Sequence, residues 1–309
     1  MSVAAADAVV ENRFRPAHPI DLRRTFAFAL RYPTGMLRPD GVWRATRTPD
    51  GPATLRLRSH AGEVTATGWG PGAAWAVERA PVMVGAGDDP GSFVAAHRHP
   101  VVDDLHRHAP GLRVPRTEAV FETLVHVVLE QKVQSRQARR AYRAIVQRHG
   151  EPAPGPAAHA LGLRLLPHPD ALARIPAYVF HRYNVERKRA VTLVTAARYA
   201  ERLDECAGLP LRDAYERLRT LPGIGAWSAA EVAVVALGDH DAVSVGDYHL
   251  PNTICWALAG EARGDDRRML ELLEPWRGQR ARVVRLVESA GITAPKYGPR
   301  LSLHDIRAI

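Results

Sequence analysis

The chain has 309 residues, 46% of them hydrophobic, with a net charge of +9 at pH 7 and a pI near 10.0. That length accommodates two or three domains, and the apolar share supports a packed core and excludes wholesale disorder. The two cysteines, Cys206 and Cys255, lie far apart, which excludes a disulfide framework and a four-thiolate iron–sulfur cluster.

No apolar run approaches a membrane span. The start, MSVAAADAVVENRFRP, has no basic segment followed by an apolar one and does not read as a secretory leader. With the isolated thiols, this gives the expectation of a cytoplasmic protein. The positive charge is carried almost wholly by arginine, since the lysines are Lys132, Lys188 and Lys296. A polyanionic partner accounts for such an excess, as does a biased genome.

Residues 1–16 read as a loose tail. From about 20 to 83 the pattern is β-like, with short alternating runs at 41–47 (GVWRATR), 54–59 (TLRLRS) and 63–68 (EVTATG) separated by TPDGP and SHAG. A short helix over 73–80 could pack on this small antiparallel sheet, and 85–91 (GAGDDPG) reads as a loop. His97, His99, His106 and His108 form an HxH pair on each side of a proline. That spacing is not a specific metal signature, so exposed histidines on a connecting helix are expected, with no metal.

From Thr117 the pattern turns helical. Phe121, Leu124, Val125, Val128 and Leu129 make one apolar stripe. Arg136, Arg139, Arg140 and Arg143 share a basic face, which reads as a solvated helix side. The segment 150–158 (GEPAPGPAA) predicts a surface loop. Further helices are predicted over 190–203, 211–218 and 275–289.

Between two helical patterns lies LPGIG, Leu221 to Gly225. Pro222 cannot continue a helix, and Gly223 and Gly225 permit positive φ and close approach. The following helix, from Ala226 to about 237, starts with amide N–H groups that have no intrahelical partner, so turn and helix start form an anion cradle. That helix is almost entirely apolar apart from Glu231, which needs a cleft or a partner. A loop then presents Asp247 ahead of another helix. Such an Asp caps the helix, and the same position lets a carboxylate face a developing cation.

These features resemble the helix-hairpin-helix (HhH-GPD) DNA glycosylases of the 3-methyladenine DNA glycosylase II, or AlkA-like, family. The hairpin spans 212–237, with LPGIG as its turn, and the acid lies in GDYHL. Further matches are PGLRVP, the Phe121–Glu122 pair, the stretch from Gln131 to Val133, and Pro275-Trp276-Arg277, together spanning about 108–290. The resemblance implies an α+β protein, with a small N-terminal antiparallel β domain at 1–110 and an all-helical glycosylase domain of two subdomains at 111–309.

It also implies a base-excision enzyme acting as a monomer on double-stranded DNA, associated with the nucleoid and not with a membrane. Asp247 would be the catalytic carboxylate. Leu221, Gly223, Gly225, Ala226, Gln131 and Lys132 would contact DNA. Trp227, Glu231, Tyr248, His249 and Arg285 would form the base pocket. Lyase members carry a nucleophilic Lys where this chain has Trp227, which implies simple hydrolysis. No cofactor is implied beyond a monovalent cation at the hairpin carbonyls. Departures from the family pattern are Glu231 and Arg285 at aromatic positions, Lys132 at the wedge, Glu130 for a glycine and His249 for an aliphatic residue. A non-catalytic DNA-binding protein with the same frame, or a glycosylase for deaminated or bulky bases, is the alternative.

Overall fold

The computed structural model describes residues 9–27, 33–155, 160–295 and 305–308. Residues 1–8 of the expected tail and 156–158 of the expected loop lie outside the described residues.

Five strands form one antiparallel sheet in the order β1-β5-β4-β3-β2: β1 Val9–Phe14, β2 Gly35–Arg38, β3 Gly41–Thr48, β4 Gly51–His60 and β5 Glu63–Trp69. β3 to β5 match the expected runs. β1 falls within the expected loose tail. VVENRF alternates only weakly, and its pairing with β5, from Val9↔Trp69 to Phe14↔Val64, is what makes it a strand. β4 and β5 are joined through Ala61 (φ 49°) and Gly62 (φ 77°), the positive-φ pair that a two-residue hairpin matched to strand twist requires.

The sheet is covered on both faces. Val42, Leu55, Leu57 and Ala66 pack with Leu22, Phe26, Ala76 and Val77 from short helices α1 (Leu22–Thr25) and α2 (Ala73–Glu78). On the opposite face Trp43 stacks on Trp69, with ring centroids 5.2 Å apart, and Ala153, Leu163 and Leu165 close over them. The hydroxyl of Thr54 donates to the Pro154 carbonyl at 2.6 Å. Residues 150–155, expected as a surface loop, are therefore a strap across the sheet. The paired indoles need cover, and the polar composition of the strap conceals this role.

The helical part runs α3 (Ala80–Met83), α4 (Pro90–Ala96), α5 (Pro100–His108), α6 (Val120–Glu130), α7 (Ser135–His149), α8 (Pro169–Ala173), a 3-10 segment (Ala177–Tyr183), α9 (Arg187–Arg198), α10 (Ala200–Asp204), α11 (Leu211–Thr220), α12 (Ala226–Val232) with a π turn (Ala233–Leu237), α13 (Leu250–Ala259), α14 (Asp266–Leu273) and α15 (Arg280–Ser289). The helix expected over 190–203 is broken at Tyr199. The one expected over 275–289 begins as a 3-10 turn, Glu274–Trp276, and resumes at Arg280.

Two main apolar clusters result. Leu124, Val128, Tyr142, Leu193, Leu218 and Ala229 belong to one, built from α6 to α12. The other joins Phe93 and Val102 of α4 and α5 to Ile254, Met269, Trp276 and Val283 of the C-terminal helices. α4 and α5, expected with the β domain, thus pack on the opposite end of the chain.

Two polar latches tie these layers together. Glu122 accepts from the Arg47 amide at 2.8 Å and the Thr46 hydroxyl at 2.7 Å, holding α6 to β3. The buried Asp88 carboxylate pairs with the equally buried Arg282 of α15 and lies 3.2 Å from His240. Asp88 is held down at about 2: burial opposes its charge, but hydrogen bonds from His240 and Arg282 outweigh that.

Candidate active site and anion-binding turn

α11 stops at Leu221 because Pro222 follows, and Ile224 folds back so that its amide donates to the Leu221 carbonyl at 3.0 Å. Leu221 and Ile224 are buried anchors, whereas Pro222, Gly223, Gly225 and Ala226 are exposed. No side chain caps the start of α12, so its leading amides are open to an anion.

The two glycines differ. Gly223 has φ +92° and a Cβ there would lie 2.3 Å from the Thr192 hydroxyl, so glycine is required by the fold itself. At Gly225, φ is −97° and an added Cβ would meet nothing within 4 Å.

Gln131, at the end of α6, donates to the Gly223 carbonyl and the Ser228 hydroxyl, both at 2.9 Å. It braces the turn from within. Pro222 accepts from the Thr192 hydroxyl at 3.3 Å. The carbonyls of Leu221, Pro222 and Gly223 each accept one hydrogen bond. Lys132 is exposed at the α6–α7 tip in a left-handed conformation, φ +54°, uncommon for a side chain with a Cβ.

Asp247 is held by three N–H donors. One carboxylate oxygen accepts the amides of His249 (2.7 Å) and Leu250 (2.8 Å), capping α13. The other accepts the indole N–H of Trp227 at 3.0 Å. The loop before it is tied by Asp266, whose carboxylate oxygens accept the Gly246 amide at 3.1 and 3.0 Å. Asp266 was not foreseen, because its partner is a backbone amide twenty residues away.

A cleft of about 910 Å³ opens beside Asp247. Among its walls are Thr123, His126 and Val127 of α6, Glu231 and Val235 of the hairpin's second helix, Asp247, His249 and Leu250, and Val284 and Arg285 of α15. The described lining contains no Trp, Tyr or Phe. Glu231 is bonded by the Ser244 hydroxyl. Burial pushes its carboxyl above the usual range, Arg285 opposes that shift and Asp247 reinforces it. His126 stacks on Tyr142 at 4.0 Å, and burial with the nearby Arg44 brings it down to about 3, so it stands neutral at neutral pH.

Of the residues expected in a base pocket, Glu231, His249 and Arg285 line this cleft, whereas Trp227 and Tyr248 do not. Trp227 packs partly against the helical core, with only its N–H turned to Asp247. Tyr248 is 79% exposed and meets the His249 ring edge-on at 4.8 Å. Three of the HxH histidines make ring contacts. His97 and His99 set ring edges against Trp276 at 4.9 and 6.0 Å, and His106 meets Phe93 at 5.5 Å. His97 and His108 are exposed as expected, but His99 and His106 are half-buried. Among the described residues no three His, Cys, Asp or Glu side chains gather as metal ligands, and no helix is long and apolar enough to cross a membrane.

No family model matches the chain. A probable bifunctional transcriptional activator/DNA repair enzyme AlkA of Mycobacterium tuberculosis is 32% identical over 143 residues, which are 46% of this chain and 28% of that protein. The chain therefore spans less than a third of that curated relative. A 3-methyladenine DNA glycosylase from Archaeoglobus fulgidus shares the fold with a TM-score of 0.76 at 18% identity, over 91% of this chain and 98% of that one. So does an 8-oxoguanine glycosylase/lyase from Clostridium acetobutylicum, solved with DNA, at 0.69 and 13% identity over 92% and 98%. The fold of these glycosylases extends over nearly the whole chain, and the sequence likeness to AlkA over almost half of it.

Proposed function

We propose that the chain is a monofunctional DNA N-glycosylase of base excision repair. One observation carries this reading. The Asp247 carboxylate, fixed by three N–H donors, stands at the wall of a cleft that can hold a nucleobase. Double-stranded DNA would rest a phosphate on the open amides of the LPGIG turn, a contact without sequence preference. The damaged nucleotide would leave the stack and enter the cleft.

As the C1′–N bond breaks, its electron pair departs with the base and the sugar acquires oxocarbenium character, which Asp247 faces. Water adds its oxygen to C1′ and passes a proton to the carboxylate, leaving an abasic site. A cationic alkylated purine leaves as a neutral base. The enzyme is read as a monomer working without cofactor.

Trp227 stands where lyase relatives would hold a nucleophilic Lys, and 221–258 contains no lysine. Borohydride should therefore trap no protein–DNA adduct, and strands should break only after alkali; a trapped Schiff base would replace hydrolysis by lyase chemistry. Alkylated purines are the class supported by the AlkA likeness. With Glu231 and Arg285 in place of aromatic walls, a deaminated or larger base is the second reading. Release measured on duplexes carrying 3-methyladenine, 7-methylguanine, hypoxanthine or uracil separates the two.

The turn can be tested apart from chemistry. Gly225→Ala should leave folding within about 1 kcal/mol and weaken binding to damaged and intact duplexes alike, as read by fluorescence anisotropy. Gly223→Ala should also destabilise the protein, since its Cβ meets Thr192. Unchanged duplex affinity in Gly225→Ala would remove the phosphate from this turn.

A further inference from the structure

α7, residues Ser135–His149, carries five arginines and no acidic residue. Arg136, Arg139, Arg140 and Arg143 follow at i, i+3, i+4 and i+7, so they form one stripe. It lies opposite the buried face of Ala138, Ala141, Tyr142 and Ile145. Arg136, Arg140 and Arg143 are exposed and Arg139 is half-buried. Among the described residues none of the four makes an ion pair or side-chain hydrogen bond. α11 and α14 differ. In α11, Arg212 pairs with Glu216 at 3.2 Å and Arg217 with Glu205 at 2.7 Å; in α14, Arg267 pairs with Glu271 at 3.4 Å.

Like charges at this spacing repel and weaken a helix unless an outside anion relieves them. The stripe covers about 10 Å of helix axis. Duplex DNA presents a charge about every 1.7 Å of its own axis, so the stripe spans several phosphates. It is also continuous with the proposed interface. α7 begins directly beyond Gln131, which bonds the hairpin turn, and Lys132, which projects from the tip. Unpaired Lys188 lies one turn before Thr192, the residue packed under Gly223.

We infer that the arginine stripe of α7 is a second phosphate-binding track that holds the duplex arm beyond the lesion. This rests on the reading of the chain as a DNA-binding glycosylase. The stripe adds affinity and footprint length but touches neither the base nor the sugar.

The test is Arg140→Gln/Arg143→Gln, which keeps helix-forming residues at surface positions. Affinity for lesion-bearing duplexes of about 12 and about 24 bp is titrated against salt. Base release is followed with enzyme in excess of DNA and saturating. Each lost phosphate contact should lower the slope of log K against log salt by about 0.9. The variant should thus lose about 2 in slope on the long duplex, weaken there about tenfold or more, and release base at the wild-type rate once saturated. An unchanged slope and unchanged long-duplex affinity would overturn the track while leaving the turn and Asp247 standing. So would an equal loss in Arg38→Gln/Arg58→Gln on the sheet, which would reduce the effect to net charge. Weakened binding to phosphatidylglycerol vesicles with normal duplex binding would overturn it in favour of a lipid surface. No duplex binding by the wild-type protein would overturn both this inference and the reading beneath it.

Discussion

Asp247→Asn should lower base release from a damaged duplex by about 10²- to 10³-fold, the range found when one electrostatic contact to a developing charge is removed. Asparagine is chosen because it separates charge from structure. Its side-chain oxygen can still accept the amides of His249 and Leu250, so the cap on α13 persists. Its NH₂ group would then face the indole N–H of Trp227, donor against donor. That mismatch costs about 1 kcal/mol of stability, far too little to unfold the protein. Duplex affinity should be unchanged, because the proposed phosphate contact lies at the LPGIG turn and not at Asp247. The measurement is alkali-revealed strand breakage in single turnover, with anisotropy on the same duplex. Full release by the Asn variant would take Asp247 out of the chemistry. Lost binding and lost release together would make it a structural residue.

The largest stability effect should come from the buried Asp88–Arg282 latch. Asp88→Asn or Arg282→Met should each destabilise the protein by about 3–5 kcal/mol, the cost of leaving one member of a buried pair unpartnered. Both side chains are almost wholly buried, at 3% and 1% exposure, so solvent screening offers little relief. Asp88→Leu/Arg282→Met should recover most of the loss, since the isolated buried charge is what destabilises. The pH dependence has a definite sign. Asp88 titrates at about 2 when folded, against about 3.9 when unfolded. Its contribution is thus complete above about pH 4 and is lost as pH falls toward 2. Denaturant titrations at neutral and acidic pH check both statements. A wild-type protein whose acid-induced loss of stability matches that of Asp88→Asn would contradict the assignment.

The two expectations about aromatic residues in the pocket show how far local pattern reaches. Trp227 and Tyr248 follow the turn and the acid in sequence, and their type suits base stacking. In the fold, one ring is turned into the helical core and the other into solvent. Glu231 and Arg285 share a cleft wall although 54 residues separate them, a meeting set by how α15 packs against the hairpin helix. Gln131, expected at the DNA contact, also donates to the turn it supports, a bond that spans 92 residues.

Local chemistry alone determined three things about this protein. Proline and glycine at 222, 223 and 225 dictate a turn, because backbone torsions answer to residue type over a few positions. Alternating runs at 41–47, 54–59 and 63–68 dictate strands, and the capping geometry of Asp247 follows from an acid ahead of a helix. Tertiary structure decided the rest. It made VVENRF an edge strand by giving it β5 to pair with, and turned a proline-rich linker into a cover for two stacked indoles. It joined α4 and α5 to the far end of the chain and paired Asp88 with Arg282 across 194 residues. These outcomes depend on which apolar surfaces and buried charges find complementary partners at long range, a property of the assembled packing that no short window of sequence contains.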